Sequence, residues 1–365
     1  MPLADFLGNA PAVARLRRLI AAEAMNRTLV LAGPRGIGKT TLAIFAGLAL
    51  NCLAPPAPGD FCGACASCAQ LDPGWRDLEA AIAAAVAFRE QQAKTRAKEL
   101  APLRLAPHPR IEIYPPDGDF LTLAQARLLA RRAHAKTGAG QFSVFILPEF
   151  DQARWMVQNA LLKTLEEPPP RTAILALARN PMELLPTVRS RSLILSLAPV
   201  AATELTGWLE RQAVAAPALG WGTAARLAQG SPGIALTEDW AAYAALREQA
   251  LALIAAGLDA AHPRSLFELT VRLFPSGRSG KEKLESLLEI LYSLLQDMLY
   301  VTAGRAAAVR NEDCSAELAA LASRLSLRQL SLAIQEADHM AAAAQRNAQR
   351  TLAVDAWALR LARVS

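Results

Sequence analysis

The chain has 365 residues, 39 Lys and Arg against 33 Asp and Glu, and is 53% hydrophobic but only 5% aromatic. At about 150 residues per domain this length fits two to three domains, and an apolar half with 20% charge excludes a disordered chain. The formal charge of +6 is mild, so it permits nucleic acid nearby without arguing for it. The apolar excess is mostly Ala and Leu, strong helix formers, which points to a helix-rich fold. No run of about 18 apolar residues occurs, so no membrane span is expected. The start, Met1 to Phe6, lacks a basic segment leading into an apolar run, so no signal peptide is expected either. The expected location is the cytosol, where clustered cysteines read as metal ligands rather than disulfides.

In chain order, residues 11–24 have helical spacing through Val13, Leu16, Leu19 and Ile20. Thr28 to Ala32 reads as a buried strand and Lys39 to Leu50 as the helix that follows it. A segment rich in Cys, Pro and Gly covers 52–74, and an Ala-rich, charged helix is expected over 77–100. Prolines then flank a strand at Arg110 to Tyr114, with a helix from Leu123 to Lys136. Further strands are expected at Phe142 to Leu147, Thr172 to Ala178 and Leu193 to Leu197, with a helix at Asn159 to Leu165. Strands alternating with helices imply an α/β domain with a parallel sheet. Beyond about residue 200 the strand signals stop. Residues 202–236 read as a small helical unit and 240–365 as an all-helical domain, with loops near 274–281 and 309–315.

Gly33, Pro34, Arg35, Gly36, Ile37, Gly38, Lys39 and Thr40 fit G-x-x-x-x-G-K-[ST], between an expected strand and an expected helix. Glycines let backbone N–H groups converge on phosphate oxygens, and the helix N-terminus adds partial positive charge. Lys39 would neutralise the β- and γ-phosphates of ATP and Thr40 would coordinate Mg²⁺, with Thr41 beside it. The plainer alternative is a glycine-rich turn that holds no ligand. Hydrolysis also needs an acidic residue at the tip of a second strand. There the chain has Pro148, which carries no carboxylate, followed by Glu149 and Asp151. Glu149 could polarise a water, so the expectation is binding without efficient turnover.

Cys52, Cys62, Cys65 and Cys68 form C-x9-C-x2-C-x2-C. Four thiolates suit one tetrahedral Zn²⁺ with no open position, hence a structural site. An iron–sulfur cluster is the rival, although its compact run needs the fourth Cys downstream, whereas here it lies upstream. Cys314 stands alone.

The segment Asn159 to Pro169 (N-A-L-L-K-T-L-E-E-P-P) and the segment Leu185 to Ser192 (L-P-T-V-R-S-R-S) are specific. With the phosphate loop and the intervening cysteines, they resemble the AAA+ clamp-loader proteins of the bacterial DNA polymerase III holoenzyme. The match runs from about residue 6 to residue 200. It is fainter at Ala228 to Gly233 and at Gln345 to Ala353, which resembles the last helix of the oligomerisation collar. The resemblance implies an AAA+ nucleotide-binding domain at 1–200 with a zinc knuckle at 52–68. It further implies a small helical lid at 201–238 and a helical collar at 239–365.

Motor subunits of the family, gamma and tau, carry an Asp, a sensor Thr and a lid Arg where this chain has Pro148, Ala178 and Gly233. Ser190 and Arg191 of the Ser-Arg-Cys motif are kept, with Ser192 in place of Cys. That combination resembles the delta-prime branch, the non-motor stator. It implies a hetero-oligomer with gamma/tau and delta in the bacterial cytoplasm, acting on the sliding clamp and primed DNA. In this branch Arg191 would act in trans as an arginine finger on ATP held by a neighbour. The alternative is a gamma/tau-type motor that uses Glu149 or Asp151 in place of the lost Asp. A generic nucleic-acid-binding zinc protein ranks last, because 52–68 encloses no Lys or Arg. The Arg127, Arg131 and Arg132 face reads as solvated. His108, His134, His262 and His339 read as surface residues, and Trp155 and Met156 as core or subunit-contact residues. The long stretch at about 76–110 has no counterpart in the resemblance.

Overall fold

The computed structural model describes all residues except 1, 2, 26, 97–99, 136–139, 213, 259–262, 274–279, 346–349 and 365. It divides into two compact units. The first comprises Met1–Ala201 with Gly230–Ile234, and the second Ala202–Gln229 with Ala235–Ser365.

The first unit is built on a six-stranded sheet. The strands are β1 (Leu29–Ala32), β2 (Leu105–His108), β3 (Ile111–Ile113), β4 (Ser143–Leu147), β5 (Thr172–Ala178) and β6 (Leu193–Ser196). Their order is β2-β3-β4-β5-β1-β6. All neighbours are parallel except β2, which runs antiparallel to β3 at the edge. Every residue of β1 and β5 is buried, as a parallel sheet covered on both faces requires. The helices are α1 (Ala10–Ala21), α2 (Lys39–Asn51), α3 (Leu78–Arg96), α4 (Leu123–Ala133), α5 (Trp155–Glu166) and α6 (Pro186–Arg191).

Each expected strand forms within a residue or two of its expected limits. The edge strand β2 was not anticipated. It lies in the 76–110 stretch, where Pro107 is tolerated because an edge strand can spare a donor. The preceding helix α3 is tied down by Arg89, whose Nη2 donates to Asp117 Oδ1 at 2.7 Å. His108 is 2% exposed rather than a surface residue: Nε2 faces Ser67 O at 3.0 Å and Nδ1 accepts from Arg110 N. Arg132 is not part of a free basic face, because its Nε donates at 2.6 Å to Glu112, a buried carboxylate. Trp155 and Met156 are 65% and 49% exposed, so they do not belong to the core.

The second unit is helical. It begins with α7 (Ala202–Glu210) and α8 (Gly220–Leu227), and α9 (Pro232–Thr237) spans the junction of the two units in sequence. Then follow α10 (Trp240–Leu258), α11 (Pro263–Leu273), α12 (Gly280–Thr302), α13 (Ser315–Ala322), α14 (Leu327–Gln345) and α15 (Arg350–Val364). Helix α12 runs through their common core with Leu284, Leu287, Leu291, Leu294 and Met298 buried at helical spacing. A polar cluster sits against this core. Arg247 pairs with Asp313, and the fully buried Asp297 accepts from the backbone N–H groups of Arg310 and Asn311. The expected loop at 274–281, the 346–349 part of the collar motif and His262 fall largely or wholly outside the described residues. No described helix is long and apolar enough to cross a membrane.

Candidate functional site

The loop between β1 and α2 occupies the C-terminal end of the sheet. Gly33 N–H donates to Ala178 O at 3.0 Å, so the β1–β5 ladder continues into the loop. Gly36 has φ +72°, a conformation that side chains resist, and a Cβ there would stand 2.7 Å from Ile234 Cγ1. The close approach is backbone on backbone, with Gly233 N–H donating to Gly36 O at 2.8 Å. A Cβ at Gly233 would lie 2.9 Å from that same oxygen. A side chain at 233 would therefore have to push this turn off the loop.

Lys39 opens α2 and folds back on its own loop, donating to Gly33 O at 2.6 Å and Pro34 O at 2.7 Å. Burial, then the positive charge of Arg179, brings its ammonium down to about 8, while Asp151 and Glu149 pull the other way. Thr40 and Thr41 follow in the first turn, both half-buried. Arg35 points away and pairs with Glu79 of α3 in solvent.

The tips of β4 and β5 supply the remaining groups. Pro148 is buried directly after β4. Glu149 adopts a left-handed backbone, φ 50°, a strained conformation for a residue with a side chain. Its Oε1 accepts from Arg179 Nη2 at 3.0 Å. Asp151 is 5% exposed, and its Oδ2 accepts from the backbone N–H groups of Arg179 at 2.7 Å and Asn180 at 2.9 Å. Each carboxylate thus has one oxygen engaged. Arg179 is the residue that sequence reasoning missed. It follows the last residue of β5, which only the sheet order shows to neighbour the phosphate-loop strand.

Arg191 lies at the other end of the sheet. It closes α6 just before β6, whose first residue Leu193 is level with Leu29, the first residue of β1. The phosphate loop begins after the last residue of β1. At about 3.3 Å per residue, β1 alone separates the two ends by ~13 Å. Arg191 is half-exposed, and its Nη1 pairs with Glu166 Oε1 at 3.1 Å, at the end of α5. Ser192, where the family motif has Cys, donates its hydroxyl to Val188 O at 2.7 Å.

The sulfurs of Cys52, Cys62, Cys65 and Cys68 all lie within 4.8 Å of one another and could hold a metal ion. Cys52 Sγ is 3.6 Å from Cys62 Sγ and 3.9 Å from Cys65 Sγ. A tetrahedral four-thiolate site with metal–sulfur bonds of about 2.3 Å has edges of about 3.8 Å. Backbone N–H groups point at the sulfurs: Cys62 N–H at Cys52 Sγ, Cys65 N–H at Cys62 Sγ, and Cys68 N–H at Cys65 Sγ. Bonds from Cys68 and Leu53 N–H groups bring the Cys65 thiol down to about 6, and bonds from Ala64 and Cys65 lower Cys62. Burial raises Cys52 and Cys68. The fold of the segment is set by Gly59 (φ +73°), where a Cβ would meet Arg17 O at 2.1 Å, and by Asp60, which accepts from Leu3 N–H and Phe61 N–H.

Fold and site together define a parallel α/β domain with a phosphate-loop motif between its first strand and helix, followed by a helical region. A family model described as DNA polymerase III, delta subunit, matches residues 8–201, and one described as DNA polymerase III, delta subunit, C terminal, matches residues 271–363. The chain belongs to this family of DNA polymerase III clamp-loader subunits. Among similar proteins, the DNA polymerase III subunit delta' of Escherichia coli is 36% identical over 187 residues, 50% of this chain and 51% of that one. The subunit gamma/tau of Mycobacterium tuberculosis is 28% identical over 189 residues, 52% of this chain and 27% of that one. The chain thus spans about half or less of the length of the curated relatives it matches. A solved DNA polymerase III gamma subunit-related protein of Thermotoga maritima aligns over 96% of this chain and 98% of its own at 13% identity, with a TM-score of 0.42.

Lys39 generates a pH dependence. Its charge is present below about 8 and lost above it, so any phosphate placed in this loop should be held less tightly as pH rises through that value. Calorimetric titration across the neutral to mildly alkaline range measures this. An affinity that stays flat there would remove the ammonium from the site.

Proposed function

We propose that the chain acts as a delta-prime-type, non-motor subunit of the DNA polymerase III clamp loader. It assembles with gamma/tau and delta subunits, and the assembly places the sliding clamp on primed DNA. In this reading residues 1–200 form the nucleotide-binding-type domain, 201–238 a lid and 239–365 an oligomerisation collar in a cytoplasmic complex. The chain is not itself a polymerase. Its own loop, Gly33 to Thr41, binds ATP phosphates without efficient hydrolysis. The single observation that carries the reading is the engagement of both candidate carboxylates: Glu149 bonds Arg179, and Asp151 holds two backbone N–H groups. A glutamate paired with an arginine is a poor base for water.

The position of Arg191 supports a role in trans. It lies at the end of the sheet away from its own phosphate loop, so a phosphate it touches belongs to another chain. Arginine suits that role because it is always charged and presents a planar fork to phosphate oxygens. Glu166 gives the guanidinium a counter-charge in the free chain, a surface pair of the kind worth at most about 1 kcal/mol and easily exchanged. The rival reading, a gamma/tau-type motor, draws on the intact Lys39 and Thr40. It requires Glu149 or Asp151 to leave the bonds described above.

In the reconstituted complex, Arg191→Ala should silence the one ATP site it serves, by roughly 10³-fold or more, and lower DNA- and clamp-stimulated turnover accordingly. Turnover equal to wild type in that variant would remove the finger assignment.

The metal proposed for Cys52, Cys62, Cys65 and Cys68 is a structural zinc, which four thiolates at tetrahedral spacing favour. Metal analysis of purified protein should give about one zinc per chain, lost in Cys65→Ser together with thermal stability. Freely titratable thiols and no stoichiometric zinc would contradict it.

A further inference from the structure

P-loop proteins commonly hold the Mg²⁺ of their nucleotide with the loop hydroxyl and a carboxylate at the tip of a neighbouring strand. The residues present here do not fit that ion. Pro148 offers no side-chain oxygen. Glu149 is engaged by a guanidinium. Asp151 has Oδ2 spent on two N–H groups, and its Oδ1, unpaired among the described residues, is shut off from solvent, which leaves no room for a hydrated ion at it.

What stands at the site instead is a cation. Arg179 is the first residue after β5, and the carbonyl just before it, Ala178 O, is the one that accepts from Gly33. Asp151 fixes the backbone of Arg179 from the other side. The residue is therefore anchored at both ends of its peptide, beside the loop, with its guanidinium half-exposed. It is close enough to Lys39 for its charge to be felt there.

We propose that Arg179 takes the place of the divalent cation, so that the phosphates of a nucleoside triphosphate bind between the loop, Lys39 and Arg179 without Mg²⁺. This rests on the reading above that the loop binds phosphates. In the empty site Glu149 is the counter-ion of Arg179. When phosphate arrives, its oxygens take the remaining N–H donors of the guanidinium while Glu149 keeps Nη2, and such charge-assisted bonds to phosphate are short and strong.

The test is calorimetric titration of the full chain with ATP, once with Mg²⁺ and once in excess EDTA. Wild-type affinity should be the same in both within about threefold. Arg179→Ala should bind about tenfold or more weakly in EDTA, the effect of losing one charge-assisted contact, and Mg²⁺ should recover part of that loss. Arg179→Lys, which keeps the charge, should retain most of the EDTA binding, and unchanged circular dichroism will show that both variants are folded. Wild-type binding that needs Mg²⁺ and is abolished by Lys39→Ala overturns the proposal while leaving the phosphate loop in place. Arg179→Ala binding like wild type in EDTA also overturns it. Absence of binding in both conditions removes the phosphate loop and the proposal with it.

Discussion

The hydrogen bond from Gly33 N–H to Ala178 O is the junction on which the site depends. It extends the β1–β5 ladder by one step past the end of β1. Because parallel strands end at the same level, whatever follows β5 is brought beside whatever follows β1. Arg179 is thereby set against the phosphate loop, and Asp151 from the tip of β4 closes the arrangement by holding the Arg179 and Asn180 N–H groups. The pairing of Glu149 with Arg179 follows from that convergence, and the charge of Arg179 adds to burial in lowering the Lys39 ammonium.

Helix α2 carries the second dependency. Its first residue is Lys39 and its C-cap is Cys52, so one helix of 13 residues joins the phosphate loop to the cysteine cluster. At about 1.5 Å per residue they stand ~20 Å apart. A metal in the cluster therefore has no direct part in phosphate chemistry and instead fixes the far end of the helix. Asn51, 5% exposed, secures the same end by bonding Gly47 O, Phe142 O and Phe142 N–H. The cluster segment is also clasped to the N-terminal region, since Asp60 accepts from Leu3 N–H and lies 3.4 Å from Arg17. Arg191 belongs to neither group. It sits beyond the opposite end of the strands, on the side of the sheet away from its own loop.

Much of this was legible in the sequence because the signals are local. The buried strands read as short apolar runs, Leu29 to Ala32 and Thr172 to Ala178, and the loop and cysteine spacings are fixed by their chemistry. The edge strand β2 was not legible, since L-A-P-H has neither alternation nor β-branched residues, and its pairing with β3 is made by the sheet rather than by propensity. His108 looked like a proline-flanked surface residue, yet it is buried because Ser67, 41 positions away in sequence, comes to meet it. Arg179 carries no local motif of its own, and it stands beside Ala178, the position where the resemblance implies a sensor residue. Its partners, Glu149 and Asp151, are 30 and 28 positions away, and only the sheet order brings them together. Trp155 and Met156 show the same limit from the other side: an apolar pair at a helix start leaves core and subunit contact both open, and their exposure removes the core.

The central claim is that this chain keeps a phosphate-binding loop whose hydrolytic carboxylates have been turned to structural use. Side-by-side measurement of ATP binding and of phosphate release by the full chain, with Lys39→Ala as the control, tests it most directly. The expected result is binding that depends on Lys39, with phosphate release no faster than in the variant. Multiple turnovers by the wild-type chain that vanish in Lys39→Ala would contradict it.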